Sequence, residues 1–525
     1  MKRRLPSARQ LLRGELSPRA NYALSALLLI ATYYWFESLT HNPFEIPFNL
    51  QMLGWLAPAL LCALLYALTA RMSVALVICE ILCAVVGLLN YFVLAFRSSP
   101  ILPWDILSWR TGMTVADNYD WELTPKLWIM LALLCVLALL ATRVRLRLRG
   151  ARKRILCGAG ATALAFLLAL ALHFPSVTAL IGVYEMPFTQ DYVYRQNGFA
   201  ISFLVNIRYL SVDPPEGYSA EGVRTQLREA IDTPIVPSAA PESAPNIIVV
   251  MNEALSDLSV IGELPVNEDP LPFLHSLHGA PNTITGDLYV SVLGGNTANT
   301  EFEFLTGNSM AFLPAGSIPY QQHVKDTVPS LPAQLSALGY DTVSIHPYYE
   351  SGWNRNTVYP DLGFARSLWL PDFAGTARLR SYVTDRATYQ RMEHELAGRG
   401  EAPLFLFDVT MQNHGGYSDR YRDLDMRIQV NDPTVVRQRE SVYLSLVRES
   451  DDALRELIEY VSSVKEPTVV LLFGDHQPHM PDSFLEKLYG KKTAELTAEE
   501  RARRYITPFV LWANYDIAEA SDMRI

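Results

Sequence analysis

Two hydrophobic patterns divide this chain of 525 residues. In the first third, five long apolar stretches (residues 21–36, 52–69, 73–96, 127–142 and 155–174) alternate with polar turns and loops. Each approaches or exceeds the ~20 residues that a helix needs to cross the hydrocarbon core of a bilayer. The pattern therefore predicts a five-helix membrane domain over 21–174. Beyond residue 246 the apolar runs shrink to strand length, at 247–251, 342–345, 404–409, 469–473 and 509–512. Helix-like segments such as 327–338 and 437–464 fall between them. Such alternation predicts an α/β domain whose sheet is largely parallel and covered by helices. Between the two patterns, residues 175–212 are rich in aromatics (Tyr184, Phe188, Tyr192, Tyr194, Phe199, Phe203) but too short to span. They are expected to lie as interfacial helices along the outer leaflet. A linker follows, completing the region 175–245. Its prolines, Pro214, Pro215, Pro234, Pro237, Pro241 and Pro245, exclude continuous helix or central strand.

Composition agrees and adds an orientation. Half of the residues are hydrophobic and 19% are charged, below the roughly one quarter of a soluble domain, which excludes a wholly soluble or disordered chain. The net charge of −10 conceals a split: residues 1–157 hold 17 Lys and Arg against 8 Asp and Glu, and the remainder 27 against 46. Basic residues mark the cytoplasmic side of a membrane protein. They cluster in the arm 1–20 (Lys2, Arg3, Arg4, Arg9, Arg13, Arg19) and between the fourth and fifth stretches (Arg143, Arg145, Arg147, Arg149, Arg152, Lys153, Arg154). An odd number of spans then places everything after residue 174 outside the cell. RVRLRLRGARKR is squeezed between two spans, which argues against a nucleic-acid partner. The first stretch follows a basic arm and precedes four more spans, so it is not a cleavable signal. The 97–126 loop, with Pro100, Pro103, Trp104, Trp109 and Trp121, reads as an outer segment anchored by interfacial aromatics.

All five cysteines (Cys62, Cys79, Cys83, Cys135, Cys157) precede the outer domain, which therefore cannot use disulfides. Cys79 and Cys83 are expected to be helix-packing residues. Glu80, inside the third stretch, is costly in lipid; it is expected either to serve a function or to reach Arg71 or water.

Ligands of parallel sheets collect beyond the carboxyl ends of the strands. Ligand-capable side chains follow four of the five apolar runs: Asn252-Glu253, His346, Asn413-His414 and Asp475-His476. One such residue is usually structural; four together point to a metal- or anion-binding site. The segment LGGNTANTEFEFLTG (293–307) completes the set. Gly294-Gly295 permit a tight turn, and a helix start follows with Asn and Thr at cap positions. Helix N-termini present free N–H groups to anions, so Thr297 is placed to hold or attack a phosphate. Thr300, with Glu303 three residues on, reads as a capping box.

This constellation resembles the lipoteichoic acid synthase family of phosphoglycerol transferases, within the alkaline phosphatase and sulfatase superfamily. The matching segments are NEALSDL (252–258), GGNTANTEFEF (294–304), HPYYESGWNRN (346–356), QNHGGYSD (412–419) and FGDHQPH (473–479). The resemblance implies a sulfatase-like extracellular catalytic domain over 246–525. It implies that Glu253, Thr297, Asp475 and His476 bind one divalent cation, that Thr297 is also the nucleophile, and that His346, Trp353, Arg355 and His414 line the head-group pocket. It also implies transfer of glycerol phosphate from phosphatidylglycerol, through a glycerophosphoryl-threonine, to a glycolipid, polyglycerolphosphate or glycan acceptor. A mainly oxygen ligand set with one imidazole suits Mn²⁺ or Mg²⁺, which would activate the hydroxyl and screen the phosphate. Arg355 is a planar donor suited to phosphate oxygens. The only acid between His346 and Arg355 is Glu350, so an uncharged glycerol is expected rather than a cationic ethanolamine. There are two departures. Asn296 stands where these synthases often carry a basic residue. The chain also stops at Ile525, where related domains continue, so its last layer is expected to be short or incomplete.

Two other functions compete. A phosphoethanolamine transferase shares the topology and the threonine, but that group typically has a zinc site and several outer-domain disulfides. A non-catalytic, membrane-anchored glycan- or lipid-binding protein would keep the fold with a decayed site, yet every presumed ligand here has the right chemical type. The C/S-x-P-x-R motif of true sulfatases and the G-x-S-x-G of serine hydrolases are absent.

Overall fold

A computed structural model describes residues 16–97, 99–106, 123–185, 190–210, 217–219, 221–225, 243–314, 316–417, 423–431 and 439–525. Most of the basic arm, of the 97–126 loop and of the proline-rich linker lies outside these residues. The chain divides into a helical unit (residues up to 106, 121–211 and 314–316) and an α/β unit formed by the rest.

The helical unit contains α1 (Pro18–Glu37), α2 (Leu56–Thr69), α3 (Met72–Arg97), α4 (Pro125–Ala141) and α5 (Ala151–His173). These five coincide with the five apolar stretches. Ser17 opens α1 by accepting from the Ala20 amide, and Thr124 opens α4 by accepting from that of Leu127, each followed by a proline that loses no bond at the first helical position. Among the described residues, three segments, Phe48–Thr69, Met72–Ala95 and Ala151–His173, are long and apolar enough to cross a membrane, against the five spans expected. On α5, Ile155, Leu156 and Phe166 are each more than 60% exposed, a surface that belongs in hydrocarbon. Short helices Pro175–Leu180, Gln190–Asn197 and Phe199–Asn206 occupy the region expected to be interfacial.

Cys79 is fully buried and its thiol donates to the Pro58 carbonyl at 3.4 Å, a packing role. Glu80 is buried, and neither of its carboxylate oxygens has a hydrogen-bond partner among the described residues. The expected reach to Arg71 is not made, because the carboxylate stays within the helical interior.

In the α/β unit, an eight-stranded sheet runs in the order β10-β2-β9-β8-β1-β7-β3-β4. Its strands are β1 (Asn246–Asn252), β2 (Thr283–Tyr289), β3 (Asp341–Ile345), β4 (Arg366–Leu368), β7 (Leu404–Val409), β8 (Thr468–Gly474), β9 (Ile506–Ala513) and β10 (Ala520–Arg524). A two-stranded ribbon, β5 (Arg378–Leu379) and β6 (Tyr382–Val383), stands apart. All five expected strands are present. The sheet is parallel from β8 through β4, whereas β9 runs antiparallel to both β8 and β2. β2, β4 and β10 were not anticipated: β4 has three residues, RSL, and the partly polar TITGDLY and ASDMR lack an unbroken apolar run.

β1 shows why the central strands read as continuous apolar runs. Ile248 and Val250 enter one core with Tyr443 and Leu446 of the long helix Arg439–Ser462, while Val249 and Met251 enter the other with Phe302, Phe405 and Phe407. Both faces are covered, so neither needs polar positions. The register is what matters for function. Met251 pairs with Val409 on one side and Phe473 on the other. The three central strands end level, and the residues after them meet above one edge of the sheet.

At the surface of this unit, His275 lies between two acids, with Nδ1 2.8 Å from Asp269 and Nε2 3.1 Å from Asp257. The hydrogen bond to Asp257, opposed by burial and aided by Asp269, pushes the imidazole up to about 9. Its folded value thus lies above the ordinary ~6.5, so its stabilisation is fully present below that pH and is lost as pH rises through about 9. Solvent screening keeps the effect modest. The melting temperature of the full chain should exceed that of His275→Gln at neutral and lower pH, and the two curves should merge above about pH 9; a gap constant with pH would refute the assignment.

Candidate metal and nucleophile site

The site is built where β8 and β1 end. β8 closes on Gly474, and a Cβ at that position would lie 1.9 Å from the Leu255 carbonyl oxygen. Only glycine lets the β8 end approach the β1 loop so closely. The approach is used at once: the Ala254 amide donates to Asp475 Oδ1 at 2.7 Å, and the Glu253 amide to Thr410 Oγ1 at 3.1 Å. Glu253, Asp475 and His476 are all buried and each offers a ligand atom within 4.8 Å of the others. His476 Nδ1 lies 3.0 Å from the Gln477 carbonyl, which accepts, so Nδ1 carries the proton. The Nε2 lone pair therefore faces the carboxylates, 3.2 Å from Asp475 Oδ2 and 3.8 Å from Glu253 Oε1. Neither Nε2 nor Asp475 Oδ2 has a hydrogen-bond partner among the described residues. Burial, and then the charge of Asp475, push the Glu253 carboxyl well up; burial also raises Asp475, against the pull of His476. Two buried carboxylates and an imidazole lone pair directed at one point form a donor set that a divalent cation fits.

Thr297 begins the helix α6 (Thr297–Thr306). The turn before it has positive φ at Gly294 (+68°), Gly295 (+153°) and Asn296 (+64°). A Cβ at Gly294 would stand 3.1 Å from that of His479, so this turn is pressed against the loop after Asp475. Thr297 Oγ1 lies 3.4 Å from Glu253 Oε2, at the positive end of the helix. The capping box expected of Thr300 is not formed. Asn296 is the N-cap residue, without a side-chain cap bond, and Thr300 Oγ1 donates instead to the Asp475 carbonyl at 2.8 Å. Glu303 accepts from Ser291 Oγ and the Met310 amide. The helix starts four residues earlier than that reading requires, which turns Thr300 inward as a clamp between α6 and the Asp475 loop.

The second group of expected residues is organised by one that the sequence reading missed. Arg355, 2% exposed, donates from Nε to both oxygens of Glu301 at 3.0 and 3.1 Å, and from Nη2 to the same carboxylate. Tyr359 donates to Glu301 at 2.7 Å. Arg355 Nη1 lies 3.1 Å from His346 Nε2, while His346 Nδ1 donates to the Val409 carbonyl at 2.8 Å. The chain Glu301–Arg355–His346–Val409 thus fixes His346 in one neutral tautomer, and burial followed by the Arg355 charge holds it well below the usual imidazole range. The bidentate edge of Arg355 is therefore engaged inside the protein. Trp353, with φ +54°, is half-buried against the second core. His414 Nδ1 lies 3.0 Å from the Tyr382 hydroxyl; burial, then Arg380 and His476, push it down to about 3, so it is uncharged near neutrality.

Behind the site, Asn252 ties the strand ends together. Its amide donates to Asp385 and Tyr389 at 2.8 and 2.9 Å, and its carbonyl accepts from Asn413 at 3.0 Å. Ser450 Oγ donates to the same Asp385 oxygen at 2.5 Å. This network holds the residues before Glu253 and His414 in fixed register.

The sulfatase family profile matches residues 245–525, more than half of the chain. The chain belongs to the sulfatase family. Among curated proteins, this sulfatase-family chain is 32% identical over 329 residues to the "Putative cyclic beta-1,2-glucan modification protein" of Rhizobium meliloti, covering 61% of this chain and 49% of that protein. It is 25% identical over 271 residues to lipoteichoic acid synthase of Staphylococcus aureus, covering 47% and 38%. The chain thus spans about half the length, or less, of these relatives. Among solved structures, the integral membrane protein lipooligosaccharide phosphoethanolamine transferase A of Neisseria meningitidis aligns with a TM-score of 0.53 at 15% identity, over 95% of this chain and 93% of that one. That likeness concerns the fold: membrane helices followed by a sulfatase-like α/β domain.

Proposed function

We propose that this chain is a membrane-bound phosphotransferase that moves glycerol phosphate from phosphatidylglycerol to an extracytoplasmic acceptor. The observation that carries the reading is a threonine hydroxyl at a helix N-terminus, 3.4 Å from one of three convergent, buried metal-ligand side chains. In the first half-reaction, Thr297 Oγ bonds to phosphorus, the phosphorus–oxygen bond to diacylglycerol breaks, and one proton passes from the threonine to the diacylglycerol oxygen. In the second, an acceptor hydroxyl displaces the threonine and returns a proton to it. Glu253, Asp475, His476 and Thr297 would hold one divalent cation, Mn²⁺ or Mg²⁺, which when bound supplies charge that screens the phosphate and favours the alkoxide. The N-terminal amides of α6 face the phosphate. His414, uncharged, is available to hydrogen-bond the head group. The name of the Rhizobium meliloti relative favours a glycan acceptor; the lipoteichoic acid synthase likeness favours a polyglycerolphosphate or glycolipid. Five spans with a cytoplasmic N-terminus would place the catalytic unit outside the cell.

Glu350 is exposed and the buried acid Glu301 is already paired with Arg355, which supports a glycerol head group over a cationic ethanolamine. Purified full-length protein should therefore release diacylglycerol from phosphatidylglycerol and not from phosphatidylethanolamine when the two are offered side by side. A preference for phosphatidylethanolamine, above all with zinc as the activating metal, would overturn the head-group assignment and favour a phosphoethanolamine transferase. Metal bound without turnover of either lipid would favour the binding-protein reading.

A further inference from the structure

The nine-residue connector between α4 and α5 reads TRVRLRLRG, residues 142–150. After a turn at Thr142 and Arg143, its remaining residues lie against the turn that joins α2 to α3. Arg147 forms an antiparallel bridge with Arg71, the Met72 amide donates to the Leu146 carbonyl at 3.1 Å, and the Leu148 amide to that of Ala70 at 3.0 Å. The Arg145 amide donates to Asn21 Oδ1 at 2.7 Å, and Asn21 is itself buried and bonded through Nδ2 to the Leu16 and Ser17 carbonyls. Successive side chains of an extended segment point to opposite faces. Val144, Leu146 and Leu148 accordingly join the helical core beside Cys62, Tyr66 and Leu76. Arg145, Arg147 and Arg149 are exposed with a repeat of about 7 Å, and Arg143, in the turn before them, is exposed too.

None of the four has a carboxylate partner among the described residues. Arg154 is used differently, since its Nε donates to the Ala67 carbonyl at 2.7 Å, closing the end of α2. Arg152 and Lys153 are exposed beside the comb and add to its field. One turn further along α5, Ile155 and Leu156 are 68% and 62% exposed, so the apolar, lipid-facing surface of the helix begins there and the guanidinium groups stand at head-group depth.

A signal that only orients the membrane insertion needs positive charge. It does not need a clamped strand, alternating burial, or arginine at all four teeth. Planar guanidinium forks match phosphate oxygens, where an ammonium would be a point charge. We propose that Arg143, Arg145, Arg147 and Arg149 form a pre-organised binding edge for the phosphate groups of anionic phospholipids in the cytoplasmic leaflet. This site is independent of the chemistry at Thr297 and requires that the helical unit be embedded in a bilayer with this connector on the cytoplasmic side.

The test uses the full chain in nanodiscs of phosphatidylcholine containing a minor share of phosphatidic acid, a lipid with no glycerol head group to be confused with a donor. After mild delipidation, retained lipids are counted by native mass spectrometry. The native protein should retain phosphatidic acid over phosphatidylcholine by about tenfold. Changing all four arginines to Gln should bring the ratio near parity, and changing all four to Lys should leave an intermediate ratio. Asn21→Ala keeps every charge but frees the comb, and should also lower the ratio, which a purely electrostatic attraction would not do. Parity in the native protein, or undiminished enrichment in the four-Gln and Asn21→Ala variants, overturns the proposal. Tighter binding of soluble polyglutamate than of phosphatidic acid would overturn it too, in favour of an acidic protein partner.

Discussion

Thr297→Ala is expected to abolish glycerophosphate transfer, with a loss of about 10³-fold or more, while the fold and membrane insertion persist. The change removes one hydroxyl at the start of α6, whose backbone turn is set by Gly294, Gly295 and Asn296 and not by the threonine side chain. Removing Glu253, Asp475 or His476 should cost activity and bound metal together, because three buried donors converge on one point and two of them cannot replace three. Chelation should reproduce that loss, and added Mn²⁺ should reverse it. Metal content measured beside turnover separates the roles: Thr297→Ala should retain much of the metal, having lost one weak neutral ligand. Residual activity of more than a few per cent in Thr297→Ala would remove the threonine from the role of nucleophile.

The second large effect belongs to Glu301. It is fully buried and neutralises Arg355, with Tyr359 as a further donor. Breaking such a pair by removing one partner leaves an uncompensated buried charge, at a cost of about 3–5 kcal/mol. Glu301→Ala should therefore lower the unfolding free energy by about that amount and also slow transfer, since Arg355 would no longer hold His346 in place. A double change, Glu301→Leu with Arg355→Met, should recover most of the stability, because apolar replacement of a buried pair is often near neutral. It should not recover transfer. If the double variant turned over substrate normally, the Glu301–Arg355–His346 chain would be structural only. Denaturant unfolding and lipid turnover on the same preparations decide between these outcomes.

Four residues of the candidate site were legible in the sequence because each lies beyond a strand whose apolar run is unmistakable. Glu253, His346, His414 and Asp475 could be located by asking what comes after residues 251, 345, 409 and 473. Glu301 was not, although it lies one turn along α6 from Thr297, inside a segment already singled out. A buried acid looks like a surface acid until its partner is known, and that partner, Arg355, is 54 positions away. Thr300 was misread for the opposite reason. Its spacing to Glu303 fits a capping box, but the glycine-rich turn begins the helix four residues sooner, and a short local rule gave way to contacts with the Asp475 loop. In the sheet, β10 escaped notice because an edge strand tolerates polar residues that central strands exclude, and β2, next to it, because Gly286 and Asp287 interrupt its apolar run.

The level ends of β8, β1 and β7 have a consequence for how the protein comes into being. β1 is made first but lies between two strands that emerge much later, from residues 404 and 468. Both of its edges stay open while more than half of the α/β unit is still being synthesised. Pairings this distant along the chain close slowly, so β1 waits unpaired until its neighbours arrive. Glu253 cannot meet Asp475 before that moment. Catalysis is thus withheld from any chain that has not yet reached His476, and the ligands first assemble once residues up to 476 have joined the fold.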